Sequence, residues 1–248
     1  MKAEKQITGI ILAGGKSTRM GTDKGLISYK NKTFIEHIIT AIQPFVDEII
    51  IISNLNSYDK FELKRYDDLI KNAGPLAGIY TGLYYSNTEN NLVVSCDVPL
   101  INKKILQKLI AQINNTSEVI QLKSKGKNMP LIAIYKKKCE AIFLEELKQE
   151  QRKVQKAIKK CKVNTVLIDT VLEKYTTNIN TKEDLEEAKK ILNAAQEEAK
   201  KITKAAQDKA QEARQKAEAA KKKAKSKPQK SGRGAKAAQE AKAAQEAK

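Results

Sequence analysis

The sequence predicts a three-layer α/β/α domain with a mainly parallel sheet, followed by a charged C-terminal extension. Up to about residue 190, short runs rich in Ile and Val alternate with segments of helical periodicity. Such runs, separated by helices, indicate parallel strands that are buried on both faces. After residue 192 the composition shifts to Ala, Lys, Gln and Glu. The length of 248 residues suits one domain plus an extension.

The first half of the chain contains three predicted strand and helix pairs. Strands are predicted where apolar residues follow one another without interruption, at residues 7–12, 48–53 and 91–95. Helices are predicted where apolar residues recur every three or four positions, at residues 33–45, 75–85 and 103–113. This alternation is the pattern from which the parallel sheet is inferred.

The second half contains three further predicted strands, at residues 118–122, 131–135 and 163–169. A turn is predicted between the first two, at 125–130, because Gly126 and Pro130 lie there. Thr181 and Asp184 have the spacing of an N-terminal helix cap, so a final helix is expected to begin at this point.

The formal charge of +18 is distributed unevenly along the chain. Residues 193–248 carry 16 Lys and Arg against 7 Asp and Glu, whereas residues 1–192 carry 31 against 22. We therefore expect a domain at 1–192 and a solvated helical or disordered extension at 193–248. The extension is either a fused segment or a tether for nucleic acid, since lysine-rich segments bind phosphate backbones without sequence preference. A scaffold or nucleic-acid-binding protein that acts through this basic tail remains an alternative function.

Composition, cysteine spacing and the position of the one histidine argue against several other classes of protein. Membrane spans need about 20 consecutive apolar residues, and no run of that length is present, so we expect no membrane partner and a cytoplasmic protein. The three cysteines are far apart and lack the spacing of a zinc site. The one histidine, His37, lies on the polar side of its predicted helix, which argues against a Ser-His-Asp hydrolase.

A glycine-rich, cationic loop directly follows the first predicted strand. Residues 12–24 read LAGGKSTRMGTDK. Gly14 and Gly15 allow backbone N–H groups to approach phosphate oxygens. Lys16, Arg19 and Lys24 supply the positive charge that a triphosphate needs. The spacing matches neither the Walker loop nor the dinucleotide fingerprint.

This loop and four later segments closely resemble the molybdenum cofactor guanylyltransferase family over roughly residues 7–190. The later segments are NAGPLAGIYTGL at 72–83, SCDVP at 95–99, MPLIAIY at 129–135 and NINTKEDL at 178–185. Met129 stands where the family often has His, and Lys182 replaces a Pro. The resemblance implies a Rossmann-like nucleotidyltransferase domain.

Site residues can be assigned partly from their position and partly from this resemblance. Asp97 follows a predicted strand at the carboxyl edge of the sheet, where ligands of such sheets bind, and a carboxylate there can hold Mg²⁺. The resemblance implies catalytic roles for Arg19, Lys24 and Asp97, with Mg²⁺ on Asp97. It implies nucleotide contacts from Leu12, Ala13, Gly14, Gly15, Lys24, Asn54, Asp68, Gly74 and Asp97. The neighbouring Asp67 is an alternative to Asp68.

The function that the resemblance implies is transfer of GMP from GTP to molybdopterin that carries molybdenum, with release of diphosphate. A cytidylyltransferase that acts on molybdopterin and a sugar-phosphate nucleotidyltransferase remain alternatives. The expected partners are GTP, the molybdenum cofactor, and molybdoenzymes or proteins of cofactor insertion. We expect a monomer, and nucleic acid as a partner only if the tail is functional.

Overall fold

The computed structural model describes residues 6–14, 23–29 and 31–225. The chain divides into two compact units, Met1–Asn193 and Ala194–Lys248. The strands of the described residues are β1 Ile7–Leu12, β2 Ser28–Tyr29, β3 Lys32–Thr33, β4 Glu48–Ile52, β5 Lys64–Tyr66, β6 Asn90–Ser95, β7 Val119–Ser124, β8 Lys127–Lys136 and β9 Val163–Leu167. The α-helices are α1 Phe34–Ile42, α2 Pro75–Tyr85, α3 Lys103–Ile110, α4 Cys139–Lys148, α5 Val154–Ala157 and α6 Lys182–Lys225.

Seven of the strands form one mainly parallel sheet, as predicted. Their order is β5-β4-β1-β6-β8-β7-β9. Strand β1 lies in the interior of the sheet and pairs in parallel with both β4 and β6. Strand β8 is antiparallel to both of its neighbours, β6 and β7. Because β1, β4 and β6 run the same way, their carboxyl ends meet at one edge of the sheet.

Helices cover both faces of the sheet, which confirms the three-layer architecture. Successive residues of a strand point to opposite faces, and Ile10 and Ile11 of β1 accordingly belong to different apolar clusters. The cluster that contains Ile11 includes buried residues of α1 and α3. The cluster that contains Ile10 includes buried residues of α2, α4 and α5.

The turn predicted at 125–130 is wrong in its extent. Only Lys125 and Gly126, both with positive φ, separate β7 from β8. Pro130 lies inside β8, where the register with β7 shifts between Gln121 and Leu122. A proline has no N–H to donate, so it is tolerated in a strand at such a bulge. The bulge therefore explains why a proline does not end this strand.

The other predicted elements are found with small shifts at their ends. Helix α1 ends at Ile42, and a short 3-10 helix, Gln43–Phe45, follows it with Pro44 near its start. The hairpin β2–β3, strand β5 and helices α4 and α5 were not predicted. Helix α6 begins after the expected cap, in which the Asp184 N–H donates to Thr181 Oγ1 at 3.1 Å and the Thr181 N–H donates to Asp184 Oδ2 at 3.0 Å.

Within the described ranges, no helix has the length and apolar character that a membrane crossing requires.

Candidate active site

A cavity of about 770 Å³ opens at the edge where β1, β4 and β6 end. Each of these strands contributes a residue near its carboxyl end, namely Leu12, Ile52 and Ser95. The other lining residues come from the connections, from α2 and from β8: Ala13, Gly14, Asn54, Leu55, Asp68, Asn72, Gly74, Pro75, Gly78 and Leu131. Of the predicted nucleotide contacts, six line this cavity: Leu12, Ala13, Gly14, Asn54, Asp68 and Gly74.

Two glycines shape the wall of this cavity, which we call the nucleotide cavity. Gly14 has φ +103°, and a Cβ there would lie 3.2 Å from Ser53 Oγ. Gly74 has φ +73° and is the residue that precedes helix α2. Side chains rarely adopt such backbone angles, so both turns depend on glycine. They bring bare backbone to the cavity surface.

Asn54 and Asp68 form a reciprocal pair on the same wall. Asn54 Nδ2 donates to Asp68 Oδ2 at 2.9 Å, and the Asp68 N–H donates to Asn54 Oδ1 at 3.1 Å. Burial raises the pKa of Asp68 above its usual value, although the Asn54 hydrogen bond opposes this. Asp67, the alternative to Asp68, instead pairs with Arg65 and is not among the lining residues. The geometry therefore favours Asp68 as the carboxylate available to a ligand.

Asp97 lines a second cavity of about 440 Å³, which shares Leu131 with the first. The walls of this second cavity are polar and cationic at Ser124, Lys125, Lys127, Asn128, Thr176, Thr177 and Asn178. Asp97 Oδ2 accepts a hydrogen bond from Asn178 Nδ2 at 3.0 Å. Its Oδ1 is buried and has no hydrogen-bond partner among the residues that the structure describes.

The buried Oδ1 of Asp97, which has no hydrogen-bond partner among the described residues, bears on whether this site suits a cation. A buried carboxylate oxygen without a donor is costly unless a ligand satisfies it. Mg²⁺ is commonly held by one or two carboxylates together with substrate phosphates. In the described part of the chain, no three His, Cys, Asp or Glu residues are grouped so that they could hold a metal ion by themselves. Asp97 therefore fits a cation that shares its coordination with a phosphorylated substrate.

The segment 178–180 ties Asp97 to Lys24. The Ile179 N–H donates to the Asp97 carbonyl at 2.8 Å, next to the Asn178 contact. Lys24 Nζ donates to Asn180 Oδ1 at 2.5 Å. Asn180 is itself held by Asp184, whose Oδ2 accepts from the Asn180 N–H at 2.8 Å. Two predicted catalytic residues, 73 positions apart in sequence, are thus fixed by one short segment.

Three predicted site residues, Gly15, Arg19 and Lys24, are not among the described residues that line the two cavities. Gly15 and Arg19 lie outside the described residues. Lys24 lines neither of the two cavities, and its position is defined by Asn180. Cys96, next to Asp97, is buried, and burial and then the Asp97 charge raise its pKa to about 12, which disfavours the thiolate form.

Sequence reasoning also missed several residues of the site. It gave no role to Asn178 and Asn180, although both were part of a segment that carried the family resemblance. It also missed Lys125, which lies in the two-residue turn between β7 and β8, and Lys127, the first residue of β8; both line the second cavity. A correct assignment of that turn would have indicated Lys125 as a residue at the tip of the hairpin.

Comparison with known proteins places the chain among nucleotidyltransferases. The family model described as the MobA-like NTP transferase domain matches residues 9–165. A probable molybdenum cofactor guanylyltransferase of Flavobacterium johnsoniae is 38% identical over 179 residues, which cover 72% of this chain and 94% of that protein. A protein of the same name from Clostridium perfringens is 37% identical over 185 residues, 71% of this chain and 93% of that one.

Solved structures support the same fold. A protein from Aquifex aeolicus VF5 superposes with a TM-score of 0.63 at 27% identity, covering 73% of this chain and 96% of that one. The molybdopterin-guanine dinucleotide biosynthesis protein A from Archaeoglobus fulgidus gives a TM-score of 0.63 at 22% identity, covering 75% and 99%. The second likeness concerns the fold only. Together with the family match, these findings show that the chain belongs to the MobA-like NTP transferase family and is a nucleotidyltransferase.

Proposed function

We propose that this nucleotidyltransferase transfers GMP from GTP to molybdopterin that carries molybdenum, forming the guanine dinucleotide cofactor and diphosphate. The observation that carries the proposal is the pair of adjoining cavities that share Leu131. One offers backbone and a carboxylate to a nucleotide, and the other offers lysines and hydroxyls to a phosphorylated acceptor. The names of the relatives from Flavobacterium johnsoniae and Clostridium perfringens support this choice of substrates.

The nucleotide cavity suits guanine through Asp68. A carboxylate can accept two hydrogen bonds, and the guanine edge offers two adjacent N–H donors, N1–H and the N2 amino group. Asn54 already donates to Asp68 Oδ2 and so fixes the orientation of the carboxylate. Near the end of β1, the backbone at Ala13 and Gly14 can contact the phosphates.

The second cavity suits an anionic acceptor. Lys125 and Lys127 bring two ammonium groups to its wall, and Ser124 and Thr177 bring hydroxyl groups. Lysine acts as a mobile point charge toward phosphate. We propose that these side chains bind the terminal phosphate of molybdopterin, next to Asp97.

Transfer needs orientation and charge compensation more than a strong base. An oxygen of the acceptor phosphate attacks the α-phosphorus of GTP, and the bond to the diphosphate breaks in line. The attacking oxygen is already ionised, so no side chain has to remove a proton. Lys24 and Arg19 would offset the charge on the departing diphosphate. We propose Asp97 as the ligand of Mg²⁺, which when bound would neutralise charge on the phosphates.

Two further parts of the proposal concern the state of the protein. We propose a monomer with a cytoplasmic location. The three cysteines, Cys96, Cys139 and Cys161, are free thiols. Free thiols are the usual state in a reducing compartment, where disulfides are rare.

Calorimetric titration with GTP, CTP, ATP and UTP, each with MgCl₂, tests the proposal. We expect GTP to bind most tightly and its affinity to fall about tenfold or more in Asp97→Asn, a change of about 1.4 kcal/mol. Asp169→Asn is the matched control, because Asp169 is an exposed carboxylate paired with Lys108 outside both cavities. Preference for CTP would favour the cytidylyltransferase alternative. Failure of all four to bind would reject the proposed function.

A further inference from the structure

Tyr58 is a buried tyrosine that lies directly behind the residue pair Asp23–Lys24. It belongs to a short 3-10 helix, Asn56–Phe61, that follows strand β4, and its side chain is 0% exposed. Its hydroxyl donates a hydrogen bond to Asp23 Oδ1. Burial raises the pKa of Tyr58 well above its usual value, so this hydroxyl stays protonated and remains a donor.

Asp23 links the Tyr58 hydroxyl to the backbone next to Lys24. The same Oδ1 accepts the Gly25 N–H at 3.0 Å, which caps the short helix Lys24–Leu26. A Cβ on Gly25 would collide with the Tyr58 hydroxyl, so Gly25 packs directly against it. Tyr58 therefore contacts the residues on both sides of Lys24.

Lys24 is consequently held at both of its ends. Its backbone is fixed between Asp23 and Gly25, and its Nζ donates to Asn180 Oδ1 at 2.5 Å. A lysine side chain loses conformational entropy when it is immobilised. Contacts that fix it before substrate binds remove this cost from the reaction, and preorganised charges stabilise transition states most effectively.

Tyr58 is also attached to the wall of the nucleotide cavity. Its N–H donates to the Leu55 carbonyl at 3.3 Å. Leu55 and the adjacent Asn54 both line that cavity. A single residue thus connects the wall that would contact the base with the lysine that would contact the diphosphate.

We propose that Tyr58 is a positioning residue for nucleotidyl transfer, acting through Asp23 to hold Lys24 where diphosphate charge develops. This inference rests on the proposed function. Tyr58 itself contacts no substrate in this arrangement. Its contribution is therefore expected in kcat, with little change in the binding of GTP.

The test compares three variants in a steady-state assay of diphosphate release from GTP, with Mg²⁺ and molybdenum-loaded molybdopterin. Tyr58→Phe keeps the buried ring and removes the hydroxyl, and we expect kcat to fall about tenfold with an unchanged Kd for GTP. Asp23→Ala should cause a similar fall. Asp23→Asn keeps an oxygen that can accept from Tyr58 and Gly25, so it should retain most of the rate.

Two further measurements separate positioning from a general loss of structure. The double variant Tyr58→Phe with Asp23→Ala should be no slower than Asp23→Ala, because both changes interrupt one connection. Thr8→Val is the control for loss of a buried hydroxyl, since Thr8 hydrogen-bonds with Thr88 at the opposite end of β1; it should leave kcat unchanged.

The outcomes distinguish failure of this inference from failure of the proposed function. If the unmodified protein binds no GTP, the proposed function fails. If it binds GTP and turns over, but Asp23→Ala or a folded Tyr58→Phe keeps kcat within twofold, the positioning role is overturned. Additive losses in the double variant would also overturn it.

Discussion

Two glycines one helical turn apart on α2 should respond in opposite ways to alanine. At Gly82, a Cβ would lie 2.5 Å, 2.9 Å and 3.2 Å from three side-chain carbons of Ile10. Ile10 is 0% exposed on the interior strand β1, so any shift of its side chain disturbs the packed core. At Gly78, the nearest atom is the Leu12 Cδ2 methyl at 3.2 Å, the end of a half-buried side chain at the cavity.

The expected magnitudes follow from these distances. Alanine gains about 1 kcal/mol over glycine in helix propensity, whereas forcing extra carbon into a packed core costs about 1–3 kcal/mol. Because the closest approach at Gly82 is only 2.5 Å, its cost should lie at the upper end of this range, about 2–3 kcal/mol. After the propensity gain, Gly82→Ala should therefore lose about 1–2 kcal/mol, which lowers Tm by about 2–8 °C for a unit of this size. In Gly78→Ala the propensity gain should offset the displacement of Leu12, leaving Tm within about 2 °C.

Binding should show the reverse order. The Gly78→Ala methyl and the displaced Leu12 take space in the nucleotide cavity, so the Kd for GTP should rise about fivefold, equivalent to about 1 kcal/mol. Gly82→Ala should bind GTP normally at temperatures where it is folded. Calorimetric melting and titration measure both quantities, and each variant is the control for the other. A normal Tm for Gly82→Ala, or normal GTP affinity for Gly78→Ala, would refute the packing argument.

Two other predictions concern base selection and the acceptor. Because burial raises the pKa of Asp68, ionisation of this carboxylate costs the folded state stability, so Asp68→Asn should melt no lower than the unmodified protein at neutral pH. The same variant should lose the preference for GTP over the other nucleotides. In the unmodified protein, the affinity for GTP should fall as falling pH protonates Asp68. An affinity for GTP that does not change with pH would contradict this role of Asp68. Lys125→Ala should raise the KM for the acceptor about tenfold with the Kd for GTP unchanged, whereas Lys123→Ala, an exposed lysine of β7 outside both cavities, should change neither. Equal effects of the two lysine variants would show a general charge effect in place of a specific contact.

Sequence periodicity located the elements whose burial pattern is simple. Strand β1 and helix α2 have the predicted bounds, Ile7–Leu12 and Pro75–Tyr85, because almost every position in them is buried or half-buried. Helix α4 was missed because charged residues interrupt its apolar positions, and one of them, Glu146, is buried. The extent of the β7–β8 turn was misjudged because Pro130 was taken as a sign of a loop, whereas a bulge accommodates it within the strand.

The candidate site was predictable where its residues follow strands. Asn54 and Asp97 each lie two residues after the end of their strands, β4 and β6, so the parallel sheet predicts their common edge. The hydrogen bonds between residues distant in sequence were not predictable, since Lys24 and Asn180 are 156 positions apart and Asp97 and Asn178 are 81 apart. No local pattern indicates such contacts. The relation between Tyr58 and Asp23, 35 positions apart, belongs to the same class.

The segment 178–180, which contacts two residues of the candidate site, comes late in the sequence. The matched family domain ends at residue 165, and a nascent chain of that length would already contain every residue that lines the nucleotide cavity. It would contain neither Asn178 nor Asn180, the partners of Asp97 and Lys24. A chain that ends at residue 165 would therefore keep the lining of the nucleotide cavity and lose the partners that orient Asp97 and Lys24, so under the proposed function transfer depends on the segment 178–180.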